Sequence, residues 1–69
     1  MTPSAFSRAQ LVGLVVEMRD GAGFQIAHYE PSTSGMCFSD ARHRFVAVRE
    51  QFVAVWTPGL DGREVWRRP

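Results

Sequence analysis

The chain has no lysine, a single cysteine (Cys37) and no long apolar run, and each scarcity excludes something. With one thiol no disulfide can close inside the chain, and such a sequence suits a reducing cytoplasm. No stretch approaches the roughly 20 apolar residues of a membrane-crossing helix, so no membrane association is expected. Met1-Thr2-Pro3-Ser4 lacks the basic patch and apolar segment of a secretory signal. The basic residues are all arginine, eight against seven acids, and a net charge of +1 gives no general pull toward nucleic acid or anionic lipid.

What is present is a globular composition, 45% apolar, on a chain of 69 residues. That length supports one core, so residues 1–69 read as a single domain, with 1–8 as a flexible N-terminus. Ordering costs roughly 1.5 kcal/mol per residue and nearly cancels the gain from burial at this size. With a disulfide excluded, a second subunit or a standing partner becomes the expected brace, and a homodimer is the simplest form.

Val12, Leu14, Val16 and Met18 alternate as one apolar face of a strand. A helix competes at its start, because Ser7 and Gln10 have capping-box spacing and Phe6 could staple onto Leu11. Arg19-Asp20-Gly21-Ala22-Gly23 has the chemistry of a hairpin loop that needs positive φ. Phe24 to Tyr29 forms the second strand, Glu30 to Gly35 a loop, and Met36-Cys37-Phe38 a short third strand. Ser39 or Asp40 can cap a helix. Ala41, Phe45, Val48, Phe52 and Val55 recur at steps of four and three, one stripe of a helix over 41–56. Against it, Phe-Val-Ala-Val occurs at both 45–48 and 52–55 and could be two strands. Arg49-Glu50-Gln51 between them is poor turn material, so the helix is preferred. Pro58-Gly59 and Leu60-Asp61-Gly62 turn the chain into a last strand over 63–67. The expected fold is α/β (α+β): a two-layer β-β-β-α-β arrangement, antiparallel hairpin strands with one helix packed on one sheet face.

This order resembles the HicB-like antitoxin domain, a degenerate ribonuclease-H-like fold. The matching residues are Val15-Val16-Glu17, Asp20-Gly21, Gly23-Phe24, Ala27, Pro31, Gly35, Cys37, Asp40, Val53-Ala54-Val55-Trp56 and Asp61-Gly62-Arg63-Glu64 with Pro69. The DNA-binding extension of many members has no counterpart here. Phe38-Ser39-Asp40-Ala41 stands where the family usually shows Gly-Asp-Thr. The resemblance implies a non-catalytic inhibitor that occludes a partner such as a toxin ribonuclease.

No catalytic set is evident. Glu17, Asp20, Glu30, Asp40, Glu50, Asp61 and Glu64 are scattered, whereas two-metal cleavage needs converging carboxylates. His28, Cys37 and His43 lack a fourth ligand and any short paired spacing, so neither metal nor cofactor is expected. One helix covers only one face of a sheet. The other face would display Phe24, Ile26 and His28, or Gln25, Ala27 and Tyr29, and an open apolar strip marks a protein contact. With Arg42, Arg49 and Trp66, the residues Phe24, Ile26, His28 and Tyr29 form the expected partner-binding set. Two rival readings share the small size and missing chemistry. One is a phage or mobile-element inhibitor, such as an anti-CRISPR protein blocking a nuclease complex. The other is a small nucleic-acid binder using arginines with Trp56, Trp66 and Tyr29 as stacking platforms.

Overall fold

The computed structural model describes residues 6–69. It is an all-β roll in which two antiparallel sheets share one core. The first sheet runs β2-β1-β6-β7 and the second β3-β4-β5. In chain order these are β1 (Val15–Met18), β2 (Gly23–Gln25), β3 (His28–Ser32), β4 (Gly35–Ser39), β5 (Val46–Val48), β6 (Phe52–Trp56) and β7 (Glu64–Arg67). One turn of helix, α1 (Arg8–Leu11), precedes them.

The chain passes between sheets at two corners. At the first, Ile26 donates its N–H back to Leu14 (2.9 Å) and Ala27 donates forward to Ser39 (2.8 Å). One bent segment thus serves β1 through β2 and β4 through β3, the way strands switch sheets at a corner. At the second corner β5 enters β6 through a 3-10 turn, Arg49–Gln51. Gln51 Oε1 accepts from the Val48 N–H (3.0 Å). The Arg68 guanidinium donates to the carbonyls of Phe52 (2.8 Å), Arg49 (3.2 Å) and Glu50 (3.2 Å), of which Arg49 also accepts from the Phe52 N–H within the turn and Glu50 from Arg19 Nε (3.3 Å).

This corner overturns the expected helix over 41–56, and with it the α/β class and the β-β-β-α-β order. The two Phe-Val-Ala-Val copies are strands, β5 and β6, as their valines favour. A seven-residue spacing fits a helix face, but it also fits two strands with a three-residue turn between them. Arg49-Glu50-Gln51 needs no glycine because none of its residues has a positive φ, and the turn closes on its own Phe52 N–H to Arg49 carbonyl bond, with Arg68 bracing it from outside. The helix expected to cover one sheet face is replaced by the second sheet.

Other expectations shift by smaller amounts. The strand expected from Leu11 is shortened to Val15–Met18, because the rival capping-box helix takes Arg8–Leu11: Ser7 and Gln10 cap α1 reciprocally (2.8 and 3.2 Å) and a turn at 12–13 separates the two. Phe6 packs against the core cluster that contains Leu11. Of the flexible N-terminus expected over 1–8, residues 1–5 lie outside the described residues, while Ser7 and Arg8 belong to the capped turn. The strand expected over 24–29 breaks at Ile26-Ala27. The loop expected over 30–35 narrows to a tight turn, with Glu30, Pro31 and Ser32 inside β3. Proline is tolerated there because β3 is an edge strand. Gly21 has φ 88°, and the Ala22 N–H reaches Asp20 Oδ1 at 2.9 Å, which builds the expected β1–β2 turn.

Leu11, Val16, Phe24, Ile26, Phe38, Ala47, Phe52 and Val55 make a single buried cluster drawn from both sheets. Phe38 and Phe52 meet at 5.8 Å between ring centroids, tilted by 55°. No helix among the described residues is long and apolar enough to cross a membrane.

Candidate functional site

A groove of about 690 Å³ lies between β2 and the loop that joins β4 to β5. Val12, Phe24, Ile26 and Phe45 supply its apolar surface, Gly23 and Gln25 its strand edge, and Asp40 and Arg42 its charges. Its volume is in the range of ordinary ligand sites, but its walls belong to a strand edge and a surface loop. Phe24 and Phe45 stack across it, centroids 6.0 Å apart and 10° from parallel. Phe24 is buried, whereas Phe45 and Val12 remain 47% and 42% exposed. Two large apolar side chains that the core could not absorb therefore lie together at the groove.

The loop wall is held by Asp40. Its Oδ1 accepts from the N–H groups of Arg44 (2.7 Å) and Phe45 (3.1 Å). The bond from Phe45 is the main cause holding its carboxyl below the ordinary aspartate value, with Arg44 and the nearby His43 acting in the same direction against desolvation. The capping chemistry expected at Asp40 is thus present, but it closes a loop instead of starting a helix. His43 sits at the crest with φ 55°, uncommon for a residue with a side chain. Its ring stacks on His28, 4.6 Å between centroids and 7° from parallel, and its Nδ1 lies 3.2 Å from Ser39 Oγ. These contacts fix the loop that presents Arg42 and Phe45.

The expected partner-binding residues do not form one patch. Phe24 and Ile26 are core residues whose edges reach the groove, and Arg42 lines it. His28 faces out from β3 toward His43, and Tyr29 points to the other side of that strand, toward Phe38 and beneath Arg8. Arg49 donates to the Phe6 carbonyl (2.5 Å) and lies over the Phe38 ring. Trp66 packs against the core with Arg68 over its ring. Arg67 pairs with Glu64 (2.6 Å) and Glu17 (3.8 Å). Arg49, Arg67 and Arg68 are therefore engaged within the fold, and Trp66 is not an open stacking platform. Arg42 and Arg44 carry no ion pair among the described residues.

Val12 and Phe45 are the groove residues that sequence reasoning missed. The four-and-three spacing puts Phe45 on the inner stripe of a helix, where it would be buried. No local signal in the sequence distinguishes Phe45 from its counterpart Phe52, since the tetrapeptide around each is identical. Among the described residues no group of three or more His, Cys, Asp or Glu side chains comes together to hold a metal. Cys37 Sγ lies 3.0 Å from Ser32 Oγ.

The architecture defines a class, the small all-β proteins of two packed antiparallel sheets. Compared with known proteins, the chain matches no family model, no curated protein and no solved structure.

Proposed function

We propose that this chain is a non-catalytic binding protein that covers part of a partner protein in the reducing cytoplasm, and that the groove beside β2 is its contact surface. One observation carries the proposal: Val12 and Phe45, each nearly half exposed, sit with the stacked Phe24 at a groove that the core of this small roll does not close. Exposed apolar side chains gathered at a concavity favour a protein contact over a solvated face. The toxin ribonuclease suggested by the HicB-like resemblance is supported only by its hairpin part, Asp20-Gly21 with Gly23-Phe24, because the helix of that pattern is absent. The nucleic-acid reading is disfavoured by the internal engagement of Arg49, Arg67 and Arg68.

The test is affinity purification of the tagged chain from its host, with nuclease treatment and rising salt, beside a Val12→Glu variant. A protein recovered in stoichiometric amount from the parent chain and lost with Val12→Glu supports the reading. A ribonuclease or a CRISPR effector in that position would name the partner. Nucleic acid retained with a steep salt dependence, the signature of counterion release, would refute it.

A further inference from the structure

The geometry points to strand addition: the groove takes an extended segment of a partner protein that pairs with the free edge of β2 and sets an acidic side chain against Arg42. This deepens the proposed function and rests on the groove being the contact surface.

The backbone gives the first argument. β2 lies at the end of its sheet and pairs only with β1, Phe24 opposite Val16. Bonds to β1 come from the even-numbered residues, with Ile26 donating to Leu14 and Met18 to Ala22 (2.8 Å). Antiparallel ladders alternate, so the N–H and C=O groups of Gly23 and Gln25 point the other way, into the groove. No backbone partner meets them among the described residues. The lane beside them is a continuation of β4. It is filled as far as Ser39, which accepts from Ala27, and is then vacated as Asp40 turns the chain outward. An incoming strand antiparallel to β2 would take up the line that β4 leaves.

The second argument is how the edges differ. An unpaired edge invites another strand, and proteins usually blunt it with charge or proline. β3 carries Glu30 and Pro31, and β7 carries Glu64 and Arg67. β2 is Gly-Phe-Gln, with neither. β5 is equally bare, but its strand residues do not line the groove. Main-chain pairing along such an edge supplies affinity while alternate side chains enter the pocket, the logic of recognition by strand addition. Every second side chain of the added strand would meet Phe24 and Phe45.

Charge selects the occupant. Arg42 lines the groove without an ion-pair partner among the described residues, and Asp40, the other charged residue of the lining, has its Oδ1 turned to the N–H groups of Arg44 and Phe45 in its own loop. A segment with a carboxylate near one end of its apolar alternation complements that site. The Gly23–Gln25 strand of a second copy brings no carboxylate, so a partner segment fits better than self-pairing.

The test is selection of a displayed random heptapeptide library on the full chain, followed by amide exchange read by NMR with the best synthetic peptide. In the free chain the Gly23 and Gln25 amides should exchange fast and that of Phe24 slowly. Bound peptide should slow Gly23 and Gln25 by about tenfold, the scale of one net backbone hydrogen bond. Selected peptides should alternate apolar residues, exclude proline at every second position and carry Asp or Glu at one end. Peptides whose binding is abolished by Phe45→Glu but which leave the Gly23 and Gln25 amides unprotected would overturn strand addition while leaving the groove reading intact. Peptides unaffected by Phe45→Glu, or no enrichment over that variant, would overturn both. A dimer of the chain with its own Gln25 amide protected would assign the lane to a second copy and overturn the proposal.

Discussion

The tetrapeptide Phe-Val-Ala-Val occurs at 45–48 and at 52–55, and the two copies meet opposite fates. In the second, Phe52 and Val55 are fully buried in the core. In the first, Phe45 and Val46 are 47% and 57% exposed, and only Ala47 reaches the core. β6 is flanked by β1 and β7, whereas β5 is an edge strand beside β4 alone. The inward parity also differs. Ala47 pairs with Phe38 on the core side, and an irregularity between Glu17 and Met18 lets Phe52 and Val55 both turn inward. The change of phase separates the fourth residues, Val55 inward and Val48 on the side opposite Ala47, whereas Phe45 precedes β5 and ends at the groove against Phe24. Identical residues thus hold the fold in one copy and remain available to a partner in the other.

That contrast can be broken most sharply at Phe52. Phe52→Ala should cost about 3–5 kcal/mol through lost transfer energy and the cavity left behind. A domain of this size has a stability of roughly 3–10 kcal/mol, so the variant should melt far below the parent in thermal or urea unfolding. Next comes Arg68→Ala, which removes charge-assisted bonds to three carbonyls at the corner between the copies. A loss of about 1.5–3 kcal/mol is expected in the same melts, and Arg68→Lys should not restore it because lysine lacks the planar fork.

A smaller effect should appear as pH dependence at the loop before the first copy. The folded-state pKa of Asp40 is lowered, chiefly by the Phe45 N–H bond. The unfolded chain therefore binds the proton more readily. The stabilisation is full above the ordinary aspartate value, about 3.9, and is lost as pH falls through the lower folded value. Asp40→Ala should flatten that part of the acid-unfolding profile. The smallest effect is expected at Val46, where Val46→Thr should change stability by no more than about 0.5 kcal/mol.

The hairpin of β1 and β2 was legible because its signals are local: Asp20-Gly21 dictates the turn, and the alternation ending in Val16 and Met18 dictates the strand, although its first member, Val12, lies in the turn before it. The capping role of Asp40 was legible too, though what it capped was not. The stretch 41–56 is not legible because a three-residue turn between two four-residue repeats reproduces helical spacing, and a group that braces that turn is Arg68, distant in the sequence. Val65 illustrates the same limit. It sits where the β6–β7 register shifts and is 41% exposed, so alternation along 63–67 alone does not give its facing. The groove is not encoded locally for a related reason. It exists because β4 stops at Ser39 while β2 continues past it, a relation between two strands that neither one encodes.

The most direct test of this division is Phe45→Glu, read for stability and for partner recovery on the same preparation. The account predicts a melt close to that of the parent chain and loss of the co-purified partner. A melt depressed as far as that of Phe52→Ala, or a partner retained in full, would contradict it.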